Sequence, residues 1–166
     1  MIIPSGRYNE IITRIPKQFS EERVCYITLN KTYNSLKDLF GKENVDLKNI
    51  VFIDAITSSI SKVENTDDCY FVSSPQALTE LSIVINEFLQ HKFDYIIFDS
   101  LTTLLIYHRA EEPIIRFISN IVHKIKSHGG KGIFYILDIK KHKLLMDGSS
   151  MVVDKTIDLG DTWDSC

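Results

Sequence analysis

The sequence predicts an α/β fold in three layers, a doubly wound and mainly parallel sheet with helices on both faces. Two observations predict it. Five stretches, "VCYITL" (24–29), "IVFIDA" (50–55), "CYFVSS" (69–74), "YIIFDS" (95–100) and "GIFYILDI" (132–139), are nearly continuous apolar runs. That pattern suits strands covered on both faces, where an alternating pattern suits strands with one face in water. Between these runs lie segments whose apolar residues recur at helical spacing, so strand and helix alternate as a parallel sheet with crossover helices requires.

Taken in order, "MII" at the start predicts a short first strand, and "PSGRYNEIITRIPKQF" carries Gly6 and Arg7 at the opening of a short helix. After "VCYITL", Thr32 is a candidate N-cap for a helix with Tyr33, Leu36, Leu39 and Phe40 on its buried side, and Gly41 suits its stop. "SSPQALTE" opens the next helix: Ser73 or Ser74 can cap it and Pro75 fits the first turn. Leu78, Leu81, Ile85, Phe88 and Leu89 form its apolar stripe. The polar segment 58–69 ahead of it reads as a surface loop. A helix-prone stretch follows Ser100. A further helix starts near Pro113, buries Ile114, Phe117, Ile118, Ile121, Val122 and Ile125, and ends at Gly129-Gly130. "TIDL" (156–159) predicts one more short strand. The expected organisation is one domain over residues 1–159 and a tail over 160–166 that includes Trp163.

The totals exclude several function classes. At 166 residues the chain is long enough for a sizeable core, and 44% hydrophobic with 25% charged residues is an ordinary globular balance. A net charge of −3 does not suggest a general nucleic-acid or membrane-surface binder. No apolar run approaches the roughly 18 residues of a membrane span, and "MIIPSGRYNE" lacks the pattern of a secretory signal. The 3 cysteines, Cys25, Cys69 and Cys166, are widely spaced without a CxxC pair, which argues against a disulfide framework or a zinc site. Cys25 and Cys69 read as small buried hydrophobes. A cytoplasmic protein is expected.

In a doubly wound sheet, ligands gather outside the carboxyl ends of the strands. Asn30, Asp54, Ser73, Asp99 and Asp138 all fall there. The sharpest feature is "FDYIIFDSLTTLL" (93–105), an apolar strand ending in an acid, Asp99, and a hydroxyl, Ser100. In many nucleotide-binding folds such an acid holds the magnesium of a bound triphosphate. Its usual complement, a glycine-rich GxxxxGK[ST] loop whose N–H groups and lysine cradle the phosphates, is found nowhere. Gly6 and Arg7 stand in the corresponding place, in a loop too short to wrap a triphosphate.

Across residues 24–159 the order of these segments resembles the RecA/KaiC-type ATPase domain, and especially its archaeal relatives that lack the P-loop. "YIIFDSLTTLL" is similar to the family's Walker B strand and the DSLT sequence after it. The resemblance implies a RecA-like P-loop NTPase fold without the P-loop. It matches Asp99 to the acid of the magnesium shell and Ser100 to the residue after it. It also implies a water-polarising glutamate after "CYITL", where this chain has Asn30 and Lys31, neither able to act as a carboxylate base. Phosphoryl transfer is almost wholly positioning and electrostatics, so these losses together point away from ATP hydrolysis.

The expectation is therefore a non-catalytic RecA/KaiC-like domain, a regulatory or protein-interaction module that self-associates or docks on a partner, with no catalytic residues, no metal and no cofactor. One alternative is a nucleotide-binding protein or weak ATPase, with Asp99 on magnesium and Ser100, Gly6 and Arg7 or the later lysines around ATP. Another is a nucleic-acid-associated protein using the basic loop Lys140, Lys141, His142 and Lys143, whose bland reading is a solvated loop. Asp99 itself has two readings: a ligand for metal or for nucleotide from a partner's P-loop, or a carboxylate capping the turn into the next helix. The second is expected. A phosphoreceiver site built on Asp54 and Asp99 would need paired acids after "CYITL", which supplies none. His123, Lys124, Lys126 and His128 suit the end of a helix dipole.

Overall fold

The computed structural model describes residues 1–108, 110–137, 147–148 and 150–160. Its centre is a parallel sheet of five strands, β2 (Val24–Thr28), β3 (Ile50–Asp54), β4 (Cys69–Phe71), β5 (Tyr95–Asp99) and β6 (Lys131–Phe134), in the order β4-β3-β2-β5-β6. Beyond β6, the short β7 (Ile136–Leu137) pairs in parallel with β1 (Ile2–Ile3). Tyr135 separates β6 from β7, and its N–H still donates to the Phe98 carbonyl (3.0 Å), so the predicted fifth strand bends at Tyr135 and changes neighbour. The predicted strand 156–159 reduces to one bridge, Ile2 with Asp158.

Side chains alternate across each strand, so the sheet sorts its apolar residues into two cores. On one face Val24, Tyr26, Phe52 and Ile97 pack with helix α1 (Tyr8–Lys17) and helix α2 (Tyr33–Lys42). On the other, Cys25, Ile27, Ile53, Ile96 and Phe98 pack with α3 (Leu78–Leu89), α4 (Leu101–Tyr107) and α5 (Glu112–Ser127). Helices on both faces of a parallel sheet are the predicted three layers. Cys25 and Cys69 are buried, and burial pushes both thiols up, as expected of cysteines that serve as packing.

The helix boundaries correct the sequence reading at two points. Thr32 does cap α2, accepting from the Ser35 N–H (3.3 Å), but α2 runs through Gly41. Its stop is Asn44, at φ 56°, with the Val45 N–H bonded back to the Phe40 carbonyl (2.9 Å). Asparagine tolerates this left-handed position nearly as glycine does. The helix expected from Ser73 starts only at Leu78, after Ala77. Pro75 lies in a turn instead, where the Gln76 N–H bonds the Ser74 hydroxyl (2.9 Å) and the Ala77 N–H bonds the Ser74 carbonyl (3.0 Å). The Ser73 hydroxyl instead donates to the Glu80 carboxylate, tying the strand end to the first turn of α3. Helix α5 ends as predicted: Gly129 takes φ 75° and the Gly130 N–H returns to the Ile125 carbonyl (3.1 Å). Among the described residues no helix is long and apolar enough to cross a membrane.

Candidate functional site

Register places three polar residues side by side at the carboxyl edge. Thr28 of β2 pairs with Asp54 of β3 on one side and with Asp99 of β5 on the other. Each lies two residues beyond a side chain of the α1/α2 core, so all three face that side of the sheet. Their surroundings give them separate tasks.

Asp54 is a structural anchor. Its carboxylate accepts from the N–H groups of Tyr33 (2.7 Å), Ile56 (2.7 Å) and Thr57 (2.9 Å) and from the Thr57 hydroxyl (2.5 Å). It thereby holds the start of α2 and the 3₁₀ turn Thr57–Ser59 against the end of β3. Thr28 fixes the next turn. Its hydroxyl donates to the Lys31 carbonyl (2.6 Å) and accepts from the Lys31 N–H (3.2 Å).

Asp99 is wholly buried, and its carboxylate is engaged by two phenols. The Tyr8 hydroxyl lies 2.8 Å from one oxygen and 2.6 Å from the other, sharing its single proton between them, and the Tyr26 hydroxyl donates to the second oxygen (2.7 Å). Tyr8 is the first residue of α1 and follows the 3₁₀ turn Ser5–Arg7. The segment standing where a phosphate loop is expected therefore delivers a phenol to the acid. The Lys31 ammonium lies over the Tyr8 ring, 5.6 Å from its centroid, and closes this side. A third phenol, Tyr135, is fully buried in the same core; burial, then the Asp99 charge, raises it, and its hydroxyl has no hydrogen-bond partner among the described residues.

These contacts decide the protonation of the site. Burial raises the Asp99 carboxyl to about 6, while the bonds from Tyr8 and Tyr26 and the Lys31 charge pull the other way. Burial, then the neighbouring carboxylate, holds Tyr8 and Tyr26 well above the ordinary phenol range, so both remain donors.

The expected cap at Asp99 is corrected: helix α4 has no side-chain cap, and the carboxylate turns to Tyr8 and Tyr26 instead. Ser100 is buried, with its hydroxyl 3.1 Å from that of Thr103, and the Asp99–Ser100 peptide bond is cis. Gly6 is exposed, and a Cβ built on it meets nothing within 4 Å, so no close approach requires glycine there. The Arg7 guanidinium pairs with Glu10 (3.0 and 3.1 Å). The structure thus brings the Gly6–Arg7 turn beside Asp99, but Tyr8 is the residue that reaches it. Asp138, Lys140, Lys141, His142, Lys143 and Trp163 lie outside the described residues.

A magnesium-bound triphosphate does not fit this arrangement. The metal's carboxylate would have to be open toward a cradle of N–H groups. Here both oxygens already accept from phenols in a site closed to solvent, and the turn opening α1 spans three residues. Sequence reasoning missed Tyr8, Tyr26 and Tyr135. The available signal was a phenol within each of two otherwise apolar runs, "VCYITL" and "GIFYILDI", since a buried tyrosine hydroxyl usually has a partner.

No family model matches the sequence, and no curated protein matches it. Among solved structures, the KaiC-like protein PH0186 from the hyperthermophilic archaeon Pyrococcus horikoshii OT3 superposes with a TM-score of 0.66 at 11% identity, over 92% of this chain and 65% of that one. The chain thus spans less than two thirds of that protein's length. The parallel sheet, its flanking helices and this likeness together identify a RecA/KaiC-like α/β fold.

Proposed function

We propose that the chain is a non-catalytic RecA/KaiC-like domain, of the kind without a P-loop, that works as a regulatory or protein-interaction module. The observation that carries this reading is the Tyr8 hydroxyl set on both oxygens of Asp99 (2.8 and 2.6 Å). Freeing that carboxylate for a metal would mean withdrawing the first turn of α1 and leaving buried polar groups unpaired, each at a cost of about 1–3 kcal/mol. Asn30 and Lys31 support the same reading: where the fold's ATPases are expected to polarise water, this chain places an amide and an ammonium. The residues of the carboxyl edge hold the fold together, and what the domain offers a partner is its surface.

The test is turnover. Purified protein with magnesium and ATP is expected to release phosphate at the rate of buffer alone. Release above that rate, abolished by Asp99→Asn, would overturn the proposal.

A further inference from the structure

Beside β5, the strand that ends in Asp99, β6 has an outer edge that no strand covers among the described residues. Its one strand neighbour is β5, while β1 pairs with β7 and, at Ile2, with Asp158. A parallel ladder uses alternate residues on its two sides. Lys131 and Tyr135 donate toward β5, to the carbonyls of Asp94 and Phe98. Gly132 and Phe134 therefore turn their N–H and C=O groups outward. The Phe134 carbonyl accepts from the Met1 nitrogen (2.7 Å), and Gly132 is exposed.

A groove of about 360 Å³ runs along this edge. Its far wall is the segment 153–157, whose Ile157 carbonyl accepts from the Ile2 N–H (2.8 Å). Its floor is apolar, from Val122 and Ile125 of α5 and from Val153 and Ile157 of the far wall. Among the described residues its charged lining is Lys126, Lys131 and Lys155 with one acid, Asp154. Lys126 pairs with Asp154 (2.6 Å), the Lys131 ammonium sits over the Tyr95 ring (5.1 Å from its centroid), and Lys155 is exposed. A Cβ at position 132 would come within 2.8 Å of the Phe134 ring and 3.2 Å of the Ile125 side chain, so glycine lets that ring pack against α5.

From this geometry we infer that the groove takes an extended peptide of a protein partner, added parallel to β6 and in line with β1, with apolar residues at alternate positions and acidic ones between them. Outward N–H and C=O groups at ladder spacing are matched by another backbone, the apolar floor by every second side chain, and the excess of lysine by acids. The inference rests on the interaction-module reading and names its surface.

The experiment uses the ¹⁵N-labelled full chain and the peptide acetyl-Val-Asp-Val-Glu-Val-Thr-amide. The amide signals of Gly132 and Phe134 are expected to shift and saturate below about 1 mM peptide, the affinity range of weak peptide binding. The same peptide N-methylated at alternate amides keeps its side chains but loses the ladder, and is expected to bind at least ~10-fold more weakly; Lys155→Glu should weaken binding as well. Unmoved Gly132 and Phe134 signals, or equal binding of the methylated peptide, would overturn the inference. So would shifts that grow with protein concentration in the absence of peptide, which would give the groove to a second copy. The module reading fails separately, on magnesium-dependent ATP binding, so the two failures are distinguishable.

Discussion

Burial holds the Asp99 carboxyl near 6, while an aspartate in an unfolded chain titrates near about 3.9. The native state therefore binds this proton more tightly than the unfolded state does, and stability falls as pH rises wherever that holds. The contribution is fully present below about pH 4, declines toward pH 6 and is lost above it, with a total on the order of 3 kcal/mol. Asp99→Asn removes the dependence. The variant is expected to be at least as stable as the parent at pH 8, by up to about 3 kcal/mol, with little difference at pH 4; urea unfolding at both pH values measures it. The phenols around the acid separate by their bonds. Tyr8→Phe takes a donor from a buried carboxylate and is expected to cost about 1–3 kcal/mol at pH 8. Tyr135→Phe removes a buried hydroxyl that has no partner among the described residues and is expected to be neutral or stabilising by about 1 kcal/mol. Equal losses in the two variants would contradict the roles given to them.

Elements meet at the carboxyl edge through side chains that the sequence marks only as strand ends. Asp54 joins β3, α2 and the Thr57–Ser59 turn through four hydrogen bonds, so Asp54→Ala strands several donors at once. A loss of about 3 kcal/mol is expected, with faster amide exchange at Tyr33 and Thr57 as the local readout. The strands were legible because buried parallel strands are runs of apolar residues, and α5 because its stripe and its Gly129-Gly130 stop agree. The start of α3 was not legible. Ser74, Pro75 and the Ser73–Glu80 contact form a turn ahead of the helix, and the chemistry of a turn and of a cap is the same at sequence level. The stop of α2 was misplaced for a similar reason: Gly41 is permitted to end a helix, but Asn44 does so.

Over the whole molecule, the fold was readable from the alternation of strands and helices, while the state of the site was not. Asp99 and Tyr8 are 91 residues apart, and neither periodicity nor motif records that the first turn of α1 lands on the end of β5. "YIIFDS" reads the same whether its acid faces magnesium or a phenol. The groove beside β6 was likewise hidden, because it arises from which strand β1 pairs with. The acid at the end of β5 is expected to serve packing rather than metal or nucleotide binding. The measurement that tests this most directly is isothermal calorimetry of ATP with and without magnesium on the full chain and on Asp99→Ala. No magnesium-dependent heat is expected from either protein at millimolar ligand. Magnesium-dependent binding by the parent chain that disappears in Asp99→Ala would contradict the account, since it would show Tyr8 and Tyr26 yielding the carboxylate to a metal.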